Sequence, residues 1–233
     1  MQRRRGARPG QGAQAALAPG EGRVAQGAPA EQGRPEAAVD CGWGRLLFAQ
    51  TFENAADLVE VLHAEAADRR DIAFYVSDPH VLISLAPQEL FLDPSHIYRL
   101  DLSLYRRRQR APSGFFVRRL GAQADAEAVN RIYSLHGMVP VSPEFFWSQR
   151  DNRALTVLVA EDAANGEILG TVMGVDHVHA FDDPSRGSSL WCLAVDPQAR
   201  HPGIGEALVR HLAEHYKTRG CAYLDLSVMH DNA

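Results

Sequence analysis

The sequence predicts a mixed α/β fold, a sheet flanked by helices, from three observations. Apolar runs of strand length, such as Leu155 to Ala160 and Leu190 to Val195, alternate with segments like Ala122 to His136 whose apolar residues recur at helical spacing. Turn signals separate them: Asn165-Gly166 between two strands, Ser77-Asp78-Pro79 and Asp196-Pro197 elsewhere. One strand, finally, runs into a loop carrying glycines and then into a helix, the arrangement that presents backbone N–H groups to an anion.

In chain order, residues 1 to about 38 are rich in Gly, Ala, Gln, Pro and Arg. Such a segment buries too little apolar area to offset the entropy of ordering, so a disordered tail is expected. Arg3, Arg4 and Arg5 read as part of that solvated tail. From Asp40 the composition changes. Arg45 to Phe52 is strand-like, and Leu58, Val61, Leu62 and Ala66 share one helix face. Asp71 to Val76 and Val81 to Ala86 are two further apolar runs, and Tyr98 to Leu104 is another strand candidate. Together they predict a small β-α-β-β domain over residues 39–105. Residues 106–114, with Arg106, Arg107, Arg108 and Arg110 before Pro112-Ser113-Gly114, read as a basic linker.

A second domain opens with the strand Phe115 to Leu120. The helix Ala122 to His136 follows, with Ala124, Ala128, Val129, Ile132 and Leu135 on one face, then a short helix from Pro143 to Arg150. Leu155 to Ala160 and Ile168 to Val178 form a hairpin over Asn165-Gly166. After the glycine loop, a helix buries Leu208, Val209, Leu212, Ala213 and Tyr216 and ends at Gly220, and the strand Ala222 to Met229 follows.

Composition narrows the function classes. With 233 residues and 45% hydrophobic content, a sizeable core is within reach. A net charge of −5 argues against a nucleic-acid partner held by bulk charge. The three cysteines, Cys41, Cys192 and Cys221, have no C-x-x-C spacing, so neither a disulfide framework nor a metal site is expected. No apolar run approaches the ~18 residues of a membrane span, and the Arg-rich start lacks a secretory signal's apolar segment. A soluble cytoplasmic protein without a membrane partner is the expectation.

The loop Arg200-His201-Pro202-Gly203-Ile204-Gly205 carries the functional signal. The first N–H groups of a helix lack intrahelical acceptors, and glycines remove the Cβ atoms that would hold a phosphate away from them. A P-loop would need Lys and Ser or Thr after Gly205, where the chain has Glu206 and Ala207. A dinucleotide fingerprint starting at Gly203 would need Gly or Ala at Leu208. What remains is Arg-x-x-Gly-x-Gly directly after the strand LAVDP, and in this the chain resembles the GNAT superfamily of N-acetyltransferases. The resemblance covers roughly Phe115 to Ala233. More narrowly, CGWGRLLFAQTF, DPHVLISLAPQELFLDPSH, AEAVNRIYSLHGMVPV and SSLWCLAVDPQARHPGIGEALVRHLAEH are similar to the acetyltransferase associated with biosynthesis of the osmolyte N-acetylglutaminylglutamine amide.

The resemblance implies a GNAT-type sheet and acetyl-CoA as co-substrate. Its pyrophosphate would lie on the backbone of His201, Pro202, Gly203, Ile204, Gly205 and Glu206, with Arg200 as the matched motif residue. Backbone groups of Leu193, Ala194 and Val195 would bond the pantetheine arm and polarise the thioester carbonyl. It further implies an acceptor that is a small amino acid or glutamine-type dipeptide, with Asn232 in the cofactor set. Relatives often carry an ATP-grasp ligase domain, a partner absent from this chain. The family continues beyond the strand ending at Met229 with a helix, whose tyrosine often protonates the leaving thiolate, and further strands. The chain is therefore expected to be a C-terminally incomplete fragment whose last strand exposes an unpaired edge. The general base is not identified by the sequence: Asp176, His177, His179, Asp225 and Ser227 lie near the expected site, and His177 is the candidate. The alternative function is a non-catalytic CoA-binding or docking module, or an inactive fragment of a larger acetyltransferase-ligase.

Overall fold

The computed structural model describes residues 37–66, 69–107 and 113–229. The expected disordered tail, most of the basic linker and Asn232 lie outside the described residues.

The first segment folds around a small three-stranded sheet. Its strands β1 (Ala38–Asp40), β2 (Arg45–Phe48) and β3 (Ile72–Phe74) lie in sequence order, β1 antiparallel and β3 parallel to β2. The crossover from β2 to β3 carries helix α1 (Ala55–His63), started by Asn54, whose side chain accepts from the Asp57 N–H at 3.0 Å. The run Val81–Ala86 is helical, not extended: it belongs to α2 (Pro79–Leu85). Pro79 pre-sets the first-turn φ, and Leu82 and Ala86 are the residues turned inward.

The main sheet has six strands in the order β4-β9-β8-β7-β6-β5. They are β4 (Ser95–Asp101), β5 (Phe115–Arg119), β6 (Leu155–Asp162), β7 (Ile168–Asp176), β8 (Gly187–Val195) and β9 (Tyr223–Met229). Only β8 and β9 pair in parallel. The helices are α3 (Gln123–Leu135), α4 (Pro143–Ser148), α5 (His177–Phe181) and α6 (Ile204–Thr218). β7 is buried throughout because both faces are covered. Leu169 and Val172 pack with Leu208, Leu212 and Tyr216 of α6, while Met173 and Val175 pack with α3 and the small sheet. Gly170 and Gly174 allow α6 to approach this closely: a Cβ on Gly174 would stand 2.5 Å from the Tyr216 hydroxyl.

Three expectations are corrected. The strand read as part of a separate first domain pairs along its whole length with β9, from Ser95↔Met229 to Asp101↔Tyr223. The last strand therefore has no bare outer edge; β4 covers it. On α3, the buried stripe is Ala126, Val129, Ile132 and Tyr133, while Leu135 is 51% exposed and Ala124 is exposed as well. The helix is rotated by its start: Asp125 accepts from the Gly121 and Ala122 N–H groups and pairs with Arg118 at 2.6 Å, which fixes the residues after it against the sheet.

Candidate active site

The loop between β8 and α6 is open. Gly203 is the N-cap of α6 at φ +82, a left-handed conformation that glycine alone adopts without strain, and a Cβ there would meet nothing within 4 Å. A Cβ on Gly205 would meet only Val195, at 3.7 Å. The first helical tie in this turn is Ala207 N–H to the Gly203 carbonyl at 2.9 Å. The N–H groups of Ile204 and Gly205 have no acceptor among the described residues. The side chain of Ile204 is buried under α6, so its amide is the part presented.

The side chains of the loop divide in direction. Arg200 is exposed and makes no ion pair among the described residues. His201 turns away: its Nε2 meets Asp162 Oδ2 at 2.9 Å, and its ring packs on Phe115. Glu206 pairs with Arg210 one turn along. The loop thus offers backbone amides and one free guanidinium, a combination suited to a phosphate ester.

Leading back from this loop, one edge of β8 is without β9, and this free edge is the groove. The pairing of β8 with β9 ends at Leu190↔Leu226, while β9 continues to Met229 against β4. Trp191 to Val195 consequently have no β9 partner, and the two strands part. On its other side β8 carries a bulge: Thr171 faces Ala194 and Met173 faces Trp191, so Val172 is opposite both Cys192 and Leu193. Cys192 sits at φ +50. The Val195 carbonyl, expected to be open, is bonded by His136 Nε2 at 2.8 Å, and Asp196 is paired with Arg131 at 2.6 Å. Both partners come from α3 and its C-cap, and no local sequence signal marks them.

Residues 126–233 match the model of the acetyltransferase (GNAT) family. Over this stretch the chain is similar to the GNAT acetyltransferases. An acetyltransferase of Pectobacterium atrosepticum is 43% identical over 75 residues, which cover 32% of this chain and 47% of that protein. The chain thus spans about half the length of that curated relative. A Drosophila protein of known crystal structure superposes with a TM-score of 0.51 at 18% identity, covering 81% of this chain and 62% of that one. That likeness extends the agreement in fold into the first segment.

In the matched stretch the two strands that part, β8 and β9, back onto a buried polar cluster. Asp225 of β9 is 3% exposed and takes Arg99 Nε at 2.8 Å on Oδ1 and the Arg99 terminal nitrogen at 2.7 Å on Oδ2. The Tyr75 hydroxyl donates to Oδ2 as well, and Arg99 stacks 3.7 Å over the Tyr223 ring. Burial beside this carboxylate pushes the Tyr75 phenol far above its ordinary range. Asp225 is therefore a structural anion, closed off from any incoming amine. Ser227 is exposed on the strand beyond it. Among the described residues, no group of His, Cys, Asp and Glu side chains could hold a metal ion. No helix among them is long and apolar enough to cross a membrane.

His177 is corrected as the base candidate. It begins α5, capped by Asp176, and has no solvent exposure. Phe48, Phe74, Tyr75, Phe181 and Tyr223 surround its ring, Nε2 lies 2.8 Å from Ser189 Oγ, and Nδ1 stands 3.8 Å from Asp183. A general base must reach the proton it removes, and this one reaches only protein. Burial holds its pKa down at about 4, against the opposing pull of Asp183, Asp225 and Asp176.

That shift predicts an acid-sensitive fold. Between about pH 6.5 and 4 the unfolded chain binds a proton at His177 that the folded chain does not, so stability rises with pH across this window. The contribution, of order 3 kcal/mol by the linkage of pKa to free energy, is complete above pH 6.5 and lost as pH falls towards 4. Urea midpoints measured from pH 7 to 4.5 should fall more steeply in the native protein than in H177Q. Parallel slopes would refute the assignment.

Proposed function

We propose that this chain transfers an acetyl group from acetyl-CoA to the amino group of a small amino acid or glutamine-type dipeptide. The observation that supports it best is the continuity of two unpaired backbone surfaces. The amides of Ile204 and Gly205, without an acceptor among the described residues, follow closely in the chain on Trp191 to Val195 of β8, where the pairing with β9 has ended. Diphosphate oxygens accept from the first surface, and an extended amide-bearing arm adds to a free strand edge as a β-strand would. The residues fit such a carrier: among the described residues the helix start has no acceptor and Arg200 no ion-pair partner, and Gly203 carries no side chain.

The carrier supplies an activated thioester, and this chain's own groups bind and orient it. An amide held against the thioester oxygen favours the developing negative charge, and loss of one such donor costs about 10²- to 10³-fold in rate. His136 fixes the end of β8 by bonding the Val195 carbonyl, so the edge is rigid before any ligand arrives. The narrower resemblance supports a place in making an acetylated dipeptide osmolyte, with an ATP-grasp ligase as the functional partner in the cytoplasm.

Thermal shift with acetyl-CoA tests the binding part. At a concentration 100-fold above the dissociation constant, stabilisation of about 2.7 kcal/mol is expected from mass action, and free CoA should give a similar shift. No shift at millimolar acetyl-CoA would refute the reading. Thiol release with glutamine, glutamate and glutaminylglutamine then tests transfer; binding without release from any amine would favour a CoA-binding module instead.

A further inference from the structure

The bulge in β8 places a strained residue on the strand that lines the groove. A left-handed conformation such as that of Cys192, at φ +50, is strained for a side-chain-bearing residue and persists only where neighbours over-determine it. Two such neighbours stand out. The indole N–H of Trp43 and the phenol O–H of Tyr133 are buried with no hydrogen-bond partner. Cys192 packs against the buried cluster that holds both side chains, and its thiol is a weak acceptor. Buried donors are seldom left this way, since each has given up its hydrogen bond to water without a replacement.

The two donors arrive from opposite sides of the chain, and each is firmly held. Tyr133 belongs to the inward stripe of α3 and has no exposure. Trp43 lies in the turn between β1 and β2, closed by Cys41 N–H to the Gly44 carbonyl at 2.9 Å and by Arg70 N–H to the Trp43 carbonyl at 3.1 Å. Its ring packs against Trp191, one residue before the bulge, with centroids 6.4 Å apart. Gly44 cannot be enlarged, because a Cβ would fall 1.5 Å from the Arg70 carbonyl oxygen. The turn is built to deliver the indole to this spot.

We propose that Trp43 and Tyr133 are positioning residues for acetyl transfer: together they clamp the Cys192 thiol and keep the Cys192–Leu193 step of β8 out of the β7 ladder, facing the groove. The inference rests on the acetyltransferase reading above, and it gives the first segment a part in the chemistry through Trp43. Neither residue touches the acetyl group. Relaxing the clamp lets the bulge slip back towards regular pairing, so the amide aimed at the thioester oxygen moves, while the phosphate-binding amides of α6 stay in place. The effect falls on turnover and not on carrier affinity.

Acetyl-CoA labelled with carbon-13 at the carbonyl gives a test that needs no acceptor. In the full chain, the infrared carbonyl stretch of the bound thioester should move to lower frequency than in water. In W43F and Y133F that downshift should shrink, with Kd for acetyl-CoA changed less than about threefold, and kcat with any working amine should fall roughly 10- to 100-fold. Adding C192G to W43F should restore the downshift, because glycine adopts the left-handed conformation unaided. Should W43F melt below the working temperature, Y133F, which keeps its ring, carries the same readout. A native downshift in both variants would overturn the proposal, as would a loss that C192G leaves unrepaired. Failure of the native chain to bind acetyl-CoA would instead remove the acetyltransferase reading, and the clamp with it.

Discussion

Replacing Gly203 with valine is expected to weaken acetyl-CoA binding by at least about 100-fold while leaving the fold standing. Two effects add. At φ +82 a β-branched residue is strained by roughly 1–3 kcal/mol, so the free loop relaxes out of this conformation, and the strain that binding must restore is lost from affinity at about tenfold per 1.4 kcal/mol. The new side chain would also add bulk at the N-cap of α6, immediately before the amides of Ile204 and Gly205 that a phosphate must approach. The protein itself loses nothing to steric clash, since a Cβ at this position meets no atom within 4 Å. Isothermal calorimetry with acetyl-CoA, beside a thermal melt of the free protein, separates the two. A native Kd in G203V would mean that the diphosphate lies elsewhere. G205A makes a graded control, because its Cβ would reach only ordinary contact with Val195 at 3.7 Å.

The second large effect is on stability. D225A removes a buried carboxylate that holds three donors from two other segments: both Arg99 nitrogens and the Tyr75 hydroxyl. Breaking a buried pair from one side costs about 3–5 kcal/mol, and the Arg99 side chain, 53% exposed, can partly rehydrate, so about 3 kcal/mol is expected. For a chain of this size that corresponds to a drop in Tm of roughly 6–12 °C. Y75F, which loses one donor and leaves the ion pair, should cost about 1 kcal/mol. A D225A midpoint within 2 °C of native, on the order of 1 kcal/mol or less, would show that the cluster carries no net stability.

The glycine loop, its preceding strand and the following helix were legible because their signals are local: a bare helix start and its glycines lie within a few consecutive residues. The Asn165-Gly166 hairpin and the inward face of α6 were legible for the same reason. The partner of β9 was not. Arg99 and Asp225 are 126 residues apart, and nothing in the pattern SHIYRLD says which edge it will join. His177 misled for a related reason. A histidine between Asp176 and Val178 at a strand end looks like a reachable polar residue, and the rings of Phe48, Phe74 and Tyr75 that enclose it come from another part of the chain. The His136 bond to the Val195 carbonyl joins residues 59 apart and was equally invisible. Val81–Ala86 shows a smaller limit: a six-residue apolar run fits strand or helix, and Pro79 decided it.

The place of β4 has a consequence for how the molecule assembles. β4 and β5 are successive strands, yet they form the opposite margins of one sheet, and β9 must slot between β4 and β8 after both have been made. Contacts so remote in sequence bring a large loop-closure cost before they bring any reward, which slows folding. During synthesis β4 must therefore wait without its ladder partner until β9 has emerged. Its margin is the natural place for a chaperone to hold the nascent chain, and for two half-made copies to trade ribbons if nothing does.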